Sequence, residues 1–262
     1  MIARRTVVGG LALCGSGLGC AVHAQWPNSG AGAAPTTRVD VPVGGCGMNL
    51  AEARQFAQQW RISEDLEADP DDEAASRVAL VLERYFMQCS FAGEDWFGVK
   101  PRFGFFDDGK SPNAFATPFP LFGNRADVDG TVVFGRRLLA QQLQRGNAAF
   151  AAIMVIVAHE YAHAYQFRQR RGGKCPEIEL EADFLAGWSL ACEAGKRQGR
   201  RLSVDLASSA ATMFEFGSYD FNNPSFHGTP EQRRDALLAG YRAGDSGMSL
   251  ADAYRTSIRS TA

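Results

Sequence analysis

The sequence predicts an α+β fold that is mostly helical, with a small β-sheet beside one long apolar helix. Three observations lead to this prediction. Apolar residues recur at helical spacing through most of the second half of the chain. Two short runs, Val99–Phe106 and Thr131–Phe134, have the β-branched and aromatic composition of strands. At 262 residues, with 45% hydrophobic and 21% charged residues, the chain is long enough for one large globular domain.

The first 24 residues are typical of an export signal. Arg4 and Arg5 precede a glycine-rich apolar stretch, and the small residues that end at Ala24 offer a cleavage site. We therefore expect an exported protein, periplasmic or secreted, whose mature chain begins at Gln25. The arginine pair favours a twin-arginine signal, with an ordinary secretory signal as the alternative.

Residues 25–45 are rich in Gly, Ala, Pro and Thr, and this composition predicts a flexible linker before a domain at 46–262. A net charge of −2, from 27 Lys and Arg against 29 Asp and Glu, argues against a nucleic-acid partner. The apolar run Ala148–Ala158 has 11 residues, whereas a membrane-spanning helix needs about 20. No transmembrane segment is therefore expected in the mature chain.

The helices are predicted in order from apolar spacing and from the residues that start or end a helix. Phe56, Trp60 and Ile62 form the apolar face of the first helix, and Asp69-Pro70 separates it from the second. Gly172-Gly173 is expected to end the third predicted helix, which spans 147–170. The predicted helices span 50–67, 72–89, 147–170, 177–196, 203–216, 229–243 and 249–257.

Four cysteines remain after removal of the signal: Cys46, Cys89, Cys175 and Cys192. An even number in an exported chain predicts two disulfides. Cys175 and Cys192 are not expected to pair with each other, because a helix between them would separate them by roughly 20 Å. If they form disulfides, each is expected to pair with Cys46 or Cys89, and buried thiols are the alternative.

Residues 159–163 read HEYAH, an HExxH motif inside an apolar helical stretch. His159 and His163 are four residues apart, so both imidazoles lie on one helix face and can bind one metal ion. A catalytic zinc site has three protein ligands and a water. Glu160 can reach that water and accept its proton as a general base. The motif therefore predicts one Zn²⁺ per chain.

The third ligand is not a motif histidine. Gln166 and Gln169 stand where the longer motif HExxHxxGxxH has its glycine and its last histidine. A carboxylate on the following predicted helix is then the leading choice. Glu179, 16 residues after His163, is preferred, and its rivals are Glu177 and Glu181.

Three more residues are candidates around this site. Asp183 is four residues after Glu179, so it shares that helix face and is expected to orient a ligand histidine from behind. His227 is the last remaining histidine and could donate a hydrogen bond to the oxyanion of a peptide carbonyl under attack. Tyr219 is a rival donor, and a structural role for His227 is the alternative. Arg233 is expected to brace local structure.

HExxH followed by ExxAD, here Glu179–Asp183, resembles the gluzincin metallopeptidases. The similarity is to the group with CAAX prenyl proteases, HtpX-like heat-shock proteases and their soluble relatives, and it spans residues 99–243. Asn113–Ala116 resembles the NAFA segment near the strand that meets the substrate. Residues 130–139 are similar to the strand and helix that precede the zinc helix, and residues 227–233 to a late His…Arg segment shared with neutral zinc metallopeptidases.

The resemblance implies a gluzincin fold, a zinc cofactor and a peptide or protein substrate. Two features depart from the family pattern, because its usual transmembrane helices are not found in this sequence and Gly228 stands where many relatives have proline. The predicted function is a zinc-dependent endopeptidase with Glu160 and His227 as catalytic residues. The alternative is a metallopeptidase-like binding or assembly protein whose cleft is closed or non-productive.

Overall fold

A computed structural model describes residues 50–60, 62–63, 97–110, 112–123, 129–196, 205–223 and 226–261. The predicted signal peptide, linker and helix 72–89 lie outside these residues, as do Cys46 and Cys89. The elements follow in chain order as α1 (Leu50–Gln59), β1 (Ile62–Ser63), β2 (Arg102–Phe106), β3 (Ala114–Thr117), β4 (Thr131–Gly135), α2 (Arg136–Leu143), a 3₁₀ turn (Gly146–Ala148), α3 (Ala149–Arg168), α4 (Cys175–Lys196), α5 (Leu206–Glu215), α6 (Pro230–Asp245) and α7 (Leu250–Thr261).

The described part of the chain is mostly helical and has one four-stranded mixed sheet, which confirms the predicted α+β fold class. The strand order is β1-β2-β4-β3. The central pair, β2 and β4, is parallel, and β1 and β3 each pair antiparallel at an edge. The segment Asn113–Ala116 thus lies almost wholly in an edge strand.

The sheet is covered on both faces, and its side chains alternate between two hydrophobic clusters. Val132 and Phe134 of β4 point into the main core with helix α3, whereas Val133 points into a smaller cluster with Phe56 of α1. Every residue of β4 is buried, as expected for a central strand between two layers. Phe56 and Trp60, predicted for the apolar face of the first helix, pack in this smaller cluster.

Helix α1 ends earlier than the sequence predicts. The prediction of a helix to residue 67 with Ile62 on its apolar face is wrong, because Ile62 lies in β1 opposite Phe106. An apolar β-branched residue such as Ile62 fits the hydrophobic spacing of a helix and that of a strand. Here its pairing with Phe106 across the sheet places it in a strand.

Helix α3 ends at Arg168, before Gly172-Gly173. The turn is a Schellman motif: Arg171 N–H donates to the Gln166 carbonyl at 2.9 Å, and Arg170 N–H donates to the Phe167 carbonyl at 2.9 Å. Arg170 takes the left-handed conformation, with φ 53°, that glycine usually supplies. The predicted role of the glycine pair as the helix stop is therefore wrong.

Helices α4 and α6 pack so closely that glycine is required where they cross. A Cβ on Gly187 would lie 2.0 Å from the Leu237 carbonyl oxygen, and one on Gly240 would lie 1.7 Å from the Phe184 carbonyl oxygen. Gly187 faces α6, and α4 is thereby held between α3 and α6.

The window Gly146–Arg168 has the length and the mean hydropathy, 1.2, of a membrane span. Of this window, 89% is buried inside the molecule, which is equally typical of a core helix. The prediction of no transmembrane segment counted only uninterrupted apolar residues, and that run ends at Ala158, just before His159.

Cys175 is disulfide-bonded, whereas Cys192 is a thiol. The prediction that these two cysteines do not pair with each other is confirmed, because α4 runs unbroken from Cys175 past Cys192. The expected second disulfide, through Cys192, is wrong. Cys192 packs against the main core from its position on α4.

Candidate metal centre

Helix α3 places His159 and His163 side by side in the interior. The two side chains are one helical turn apart, and their residues are only 3% and 5% exposed. Their Nε2 atoms are 3.0 Å apart, so both rings point to one place. The sequence folds this way locally because the motif is embedded in an apolar helix that is buried almost throughout and that the sheet and α4 cover.

Helix α4 brings Glu179 to the same place. Its Oε2 lies 3.2 Å from His159 Nε2, and its Oε1 lies 3.2 Å from His163 Nε2. The Schellman turn and the short segment 171–174 reverse the chain, so the start of α4 passes the end of α3. The three residues predicted as ligands thus form one buried cluster that could hold a metal ion.

The spacing of these atoms fits a small tetrahedral metal ion. Nitrogen and oxygen ligands bind zinc at about 2.0–2.2 Å, which places two tetrahedral ligands roughly 3.3 Å apart. The three contacts among His159, His163 and Glu179 are 3.0–3.2 Å. Two imidazoles and one carboxylate also match the chemistry of a catalytic zinc site with an open fourth position.

Asp183 contacts His159 from the side away from the cluster, as the sequence predicts. Its Oδ1 is 2.8 Å from His159 Nδ1. Arg233 holds the same carboxylate by two bonds, from Nε at 2.8 Å and from Nη2 at 2.9 Å. Burial raises the pKa of Asp183, but the charges of Arg233 and His159 outweigh it and lower that pKa below 3.8. Asp183 is therefore an ionised acceptor, and His159 Nδ1 carries the proton.

Glu179 is fully buried, yet its carboxyl is held in the charged form. Burial raises its pKa, and the neighbouring His227 and His163 rings, together with hydrogen bonds from the motif histidines, lower it well below 4.5. A carboxylate that stays ionised in the interior is suited to bind a cation.

Neither rival carboxylate joins the cluster. Glu181 is buried on the other side of α4, where it pairs with Arg171 and accepts a hydrogen bond from Thr261 at 3.2 Å. Glu177 lies partly exposed in the first turn of α4. The 100° rotation per residue of a helix separates Glu179 from both.

Glu160 lies beside the cluster and lines a pocket that opens to it. The residue is 2% exposed, and among the described residues no group hydrogen-bonds its Oε2. Burial raises the pKa of Glu160, and the adjacent His159 and His163 lower it by less, so the pKa lies above 4.5. A buried, raised-pKa carboxyl facing a pocket has the properties of a general base.

The pocket has a volume of about 330 Å³ with its open mouth included, and its lining is mostly apolar. Asn113 and Ala114 border it from edge strand β3, and Arg233 borders it from α6. Apolar side chains complete the wall: Leu138, Ile156, Met213 and Phe216. Most of this volume belongs to the open mouth, so only a small part of the pocket is enclosed.

One buried carboxylate positions the strand side of this pocket. Asp108 accepts hydrogen bonds from the backbone N–H groups of Asn113 at 3.1 Å, Arg137 at 2.7 Å and Leu138 at 3.0 Å. It therefore caps α2 and ties that helix to the start of β3. The sequence analysis missed Asp108, and its position 29 residues before Arg137 gives no local signal of this role.

His227 contacts the ligand Glu179 and does not line the pocket. Its Nδ1 is 3.3 Å from Glu179 Oε2 and 3.6 Å from the Cys175 sulfur. Tyr219 is 59% exposed and donates a hydrogen bond to Glu231 at 2.6 Å. The predicted oxyanion role of either residue stays a prediction, and Arg233, which borders the pocket, donates its hydrogen bonds to Asp183 and to the Phe216 carbonyl.

Gln166 is the main residue of the site that the sequence analysis did not assign. Its Oε1 lies 2.7 Å from His163 Nδ1, so it contacts His163 as Asp183 contacts His159. The sequence used Gln166 only to exclude a longer histidine motif. Its position three residues after His163, on the same helix face, was the available signal.

Comparison of the chain with protein-family models, with curated proteins and with solved structures gives no match.

Proposed function

We propose that this chain is a zinc-dependent endopeptidase in which His159, His163 and Glu179 hold the metal. The observation that carries the proposal is the convergence of two buried imidazole nitrogens, 3.0 Å apart, with the Glu179 carboxylate, which has one oxygen 3.2 Å from each of them, next to a buried glutamate that lines a pocket. The bound zinc would supply Lewis acidity, which polarises a carbonyl and lowers the pKa of water.

Glu160 is the proposed proton carrier. Its carboxylate accepts a proton from the attacking water and returns it to the nitrogen of the leaving amine. The raised pKa of Glu160 makes it a stronger base than an exposed glutamate. Asp183 and Arg233 contribute by fixing the His159 ring.

An extended polypeptide is the substrate that the surroundings favour. Among the described strands β3 pairs only with β4, and a peptide that binds along its other edge by main-chain hydrogen bonds is the proposed mode of substrate binding. Its first residues border the pocket, and a peptide aligned along β3 could place one apolar side chain in it. This arrangement supports an endopeptidase over a hydrolase of small soluble metabolites.

The test is cleavage of reduced, alkylated casein by purified zinc-loaded protein. We expect cleavage that 1,10-phenanthroline abolishes and added zinc restores. The matched Glu160→Gln variant keeps the shape of the side chain and should retain zinc while losing at least about 100-fold in rate. Equal cleavage by this variant would contradict the role of Glu160. A folded, zinc-loaded wild type that cleaves no unfolded protein would favour the binding or assembly alternative.

A further inference from the structure

Gln166 lies in the interior between the two helices that carry the metal ligands, and its residue is 1% exposed. Its amide makes contacts at both ends. Oε1 is 2.7 Å from His163 Nδ1, and Nε2 donates to the Ile178 carbonyl at 2.9 Å. Nε2 is also 3.4 Å from Glu181 Oε2.

These contacts determine which way the amide points. The Ile178 carbonyl and the Glu181 carboxylate are acceptors, so the group that faces them must be the NH₂ of Gln166. The amide oxygen then faces His163, and an oxygen can only accept. His163 Nδ1 must therefore carry a proton, which leaves Nε2 as the nitrogen that can bind a metal ion.

We propose that Gln166 is a positioning residue, which fixes the Nδ1–H tautomer of His163 and thereby directs the Nε2 lone pair at the metal. This inference rests on the proposed metal site. It gives the two histidines different partners, because a carboxylate, Asp183, holds His159 and a neutral amide holds His163. With a metal bound, the Nε2 atoms of His159 and His163, 3.0 Å apart here, would both supply their lone pairs to the cation.

A neutral amide is required at this position because of what lies behind it. A carboxylate in place of the Gln166 amide would put an oxygen where Nε2 now donates to the Ile178 carbonyl, so two acceptors would face each other. Its negative charge would also lie near the carboxylate of Glu181. Glu181 is itself held by Arg171, whose backbone N–H closes the Schellman turn onto the Gln166 carbonyl. The end of α3 therefore fixes both ends of Gln166, its backbone and its side chain.

The test uses Gln166→Leu, which keeps the size of the side chain and removes the acceptor. The readout is zinc affinity, measured by competition with a chromophoric chelator. We expect a loss of about 10–100-fold, the usual cost of removing a partner of a metal ligand. The matched control is Ser209→Ala, because Ser209 is also buried and bonds α3 at the Ala151 carbonyl, away from both histidines. This control should keep wild-type affinity.

A second readout is independent of the variants and of peptidase activity. Long-range ¹H–¹⁵N NMR of the zinc-loaded wild type should show the proton of His163 on Nδ1, protected from exchange. Gln166→Glu keeps an acceptor, so it should retain this signal at the cost of a lower melting temperature. A proton on Nε2 in the wild type would overturn the proposal, even if Gln166→Leu does not fold. Unchanged zinc affinity in folded Gln166→Leu would also overturn it, whereas a failure to cleave casein would contradict only the proposed peptidase.

Discussion

The buried charges around the candidate metal centre are paired residue by residue, with one exception. Asp183 is neutralised by Arg233, and Glu179 faces the imidazoles of His159 and His163. Glu160 has no such partner among the described residues for its Oε2. A proposed catalytic group is therefore also the group whose charge costs the fold most.

This exception leads to a prediction about stability. The pKa of Glu160 is raised in the fold, so the folded chain holds its proton more tightly than the unfolded chain. Stability must then fall as the pH rises from below the ordinary value of 4.5 through the raised pKa. Glu160→Gln removes this loss. We expect metal-free Glu160→Gln to melt at a higher temperature than metal-free wild type at pH 7 and to differ little at pH 4.

Thermal unfolding followed by circular dichroism at several pH values checks this. Asp235→Asn, a change at a largely exposed carboxylate of α6, is the control and should show no such pH-dependent gain. A Glu160→Gln protein that melts below the wild type at pH 7 would contradict the account of Glu160 as a buried, uncompensated charge.

For individual residues, the sequence predicted the three candidate ligands but not every side chain that contacts them. His159, His163 and Glu179 follow from spacing, because helical geometry relates residues four apart and a returning helix relates the two segments. Glu177 and Glu181 could not be excluded by spacing. Only the rotation of α4 against α3, which packing fixes, turns Glu181 toward Arg171.

The connection between α3 and α4 is the element that joins the two halves of the centre. It begins with Arg170 in a left-handed conformation, which costs about 1 kcal/mol for a residue with a Cβ. Arg170→Gly should therefore stabilise the fold by about 1 kcal/mol. Gln169 precedes it with an ordinary φ of −78°, and Gln169→Gly should destabilise by about 0.5–1 kcal/mol.

Urea unfolding of these two variants measures the difference directly. Opposite signs at neighbouring positions are the expected result. If Arg170→Gly destabilises as Gln169→Gly does, the Schellman turn at the end of α3 is not the one that the protein adopts.

The crossing of α4 and α6 gives a second prediction for an element. A Cβ at Gly240 would meet the backbone oxygen of Phe184, which cannot move aside as a side chain can. We expect Gly240→Ala to cost at least about 2 kcal/mol, although alanine favours a helix more than glycine does. Asp235→Ala on the same helix adds no such contact and should change stability little. Denaturant unfolding distinguishes the two, and a neutral Gly240→Ala would contradict the close crossing.

The long helices and the two central strands, β2 and β4, were predictable, whereas the short edge strands were not. Helices α3 and α4 each repeat an apolar pattern over several turns, so local sequence was sufficient. Strand β1 has two residues, and its structure depends on pairing with β2 about 40 residues later. Strand β3 was suggested only by resemblance, because four residues carry too little periodicity to predict a strand.

Over the whole molecule, the candidate site is assembled from four separate parts of the chain. Helix α3 contributes the motif, α4 the third ligand, α6 Arg233, and the edge strand β3 one side of the pocket. The main core contains side chains of both α3 and α4 and packs around these two helices. Sequence alone could predict the first two parts, which adjoin in the chain. The pairing of Arg233 with Asp183, 50 residues apart, required the tertiary structure.

The central claim is that two helices provide three ligands for one metal ion. Elemental analysis of purified, zinc-reconstituted protein tests it most directly, comparing wild type with Glu179→Ala and with Glu177→Ala, a matched loss of a carboxylate two residues away in the same helix. We predict one zinc per chain in the wild type and in Glu177→Ala, and a marked loss of zinc from folded Glu179→Ala. Full zinc retention by folded Glu179→Ala, or a folded wild type that binds none, would contradict the claim.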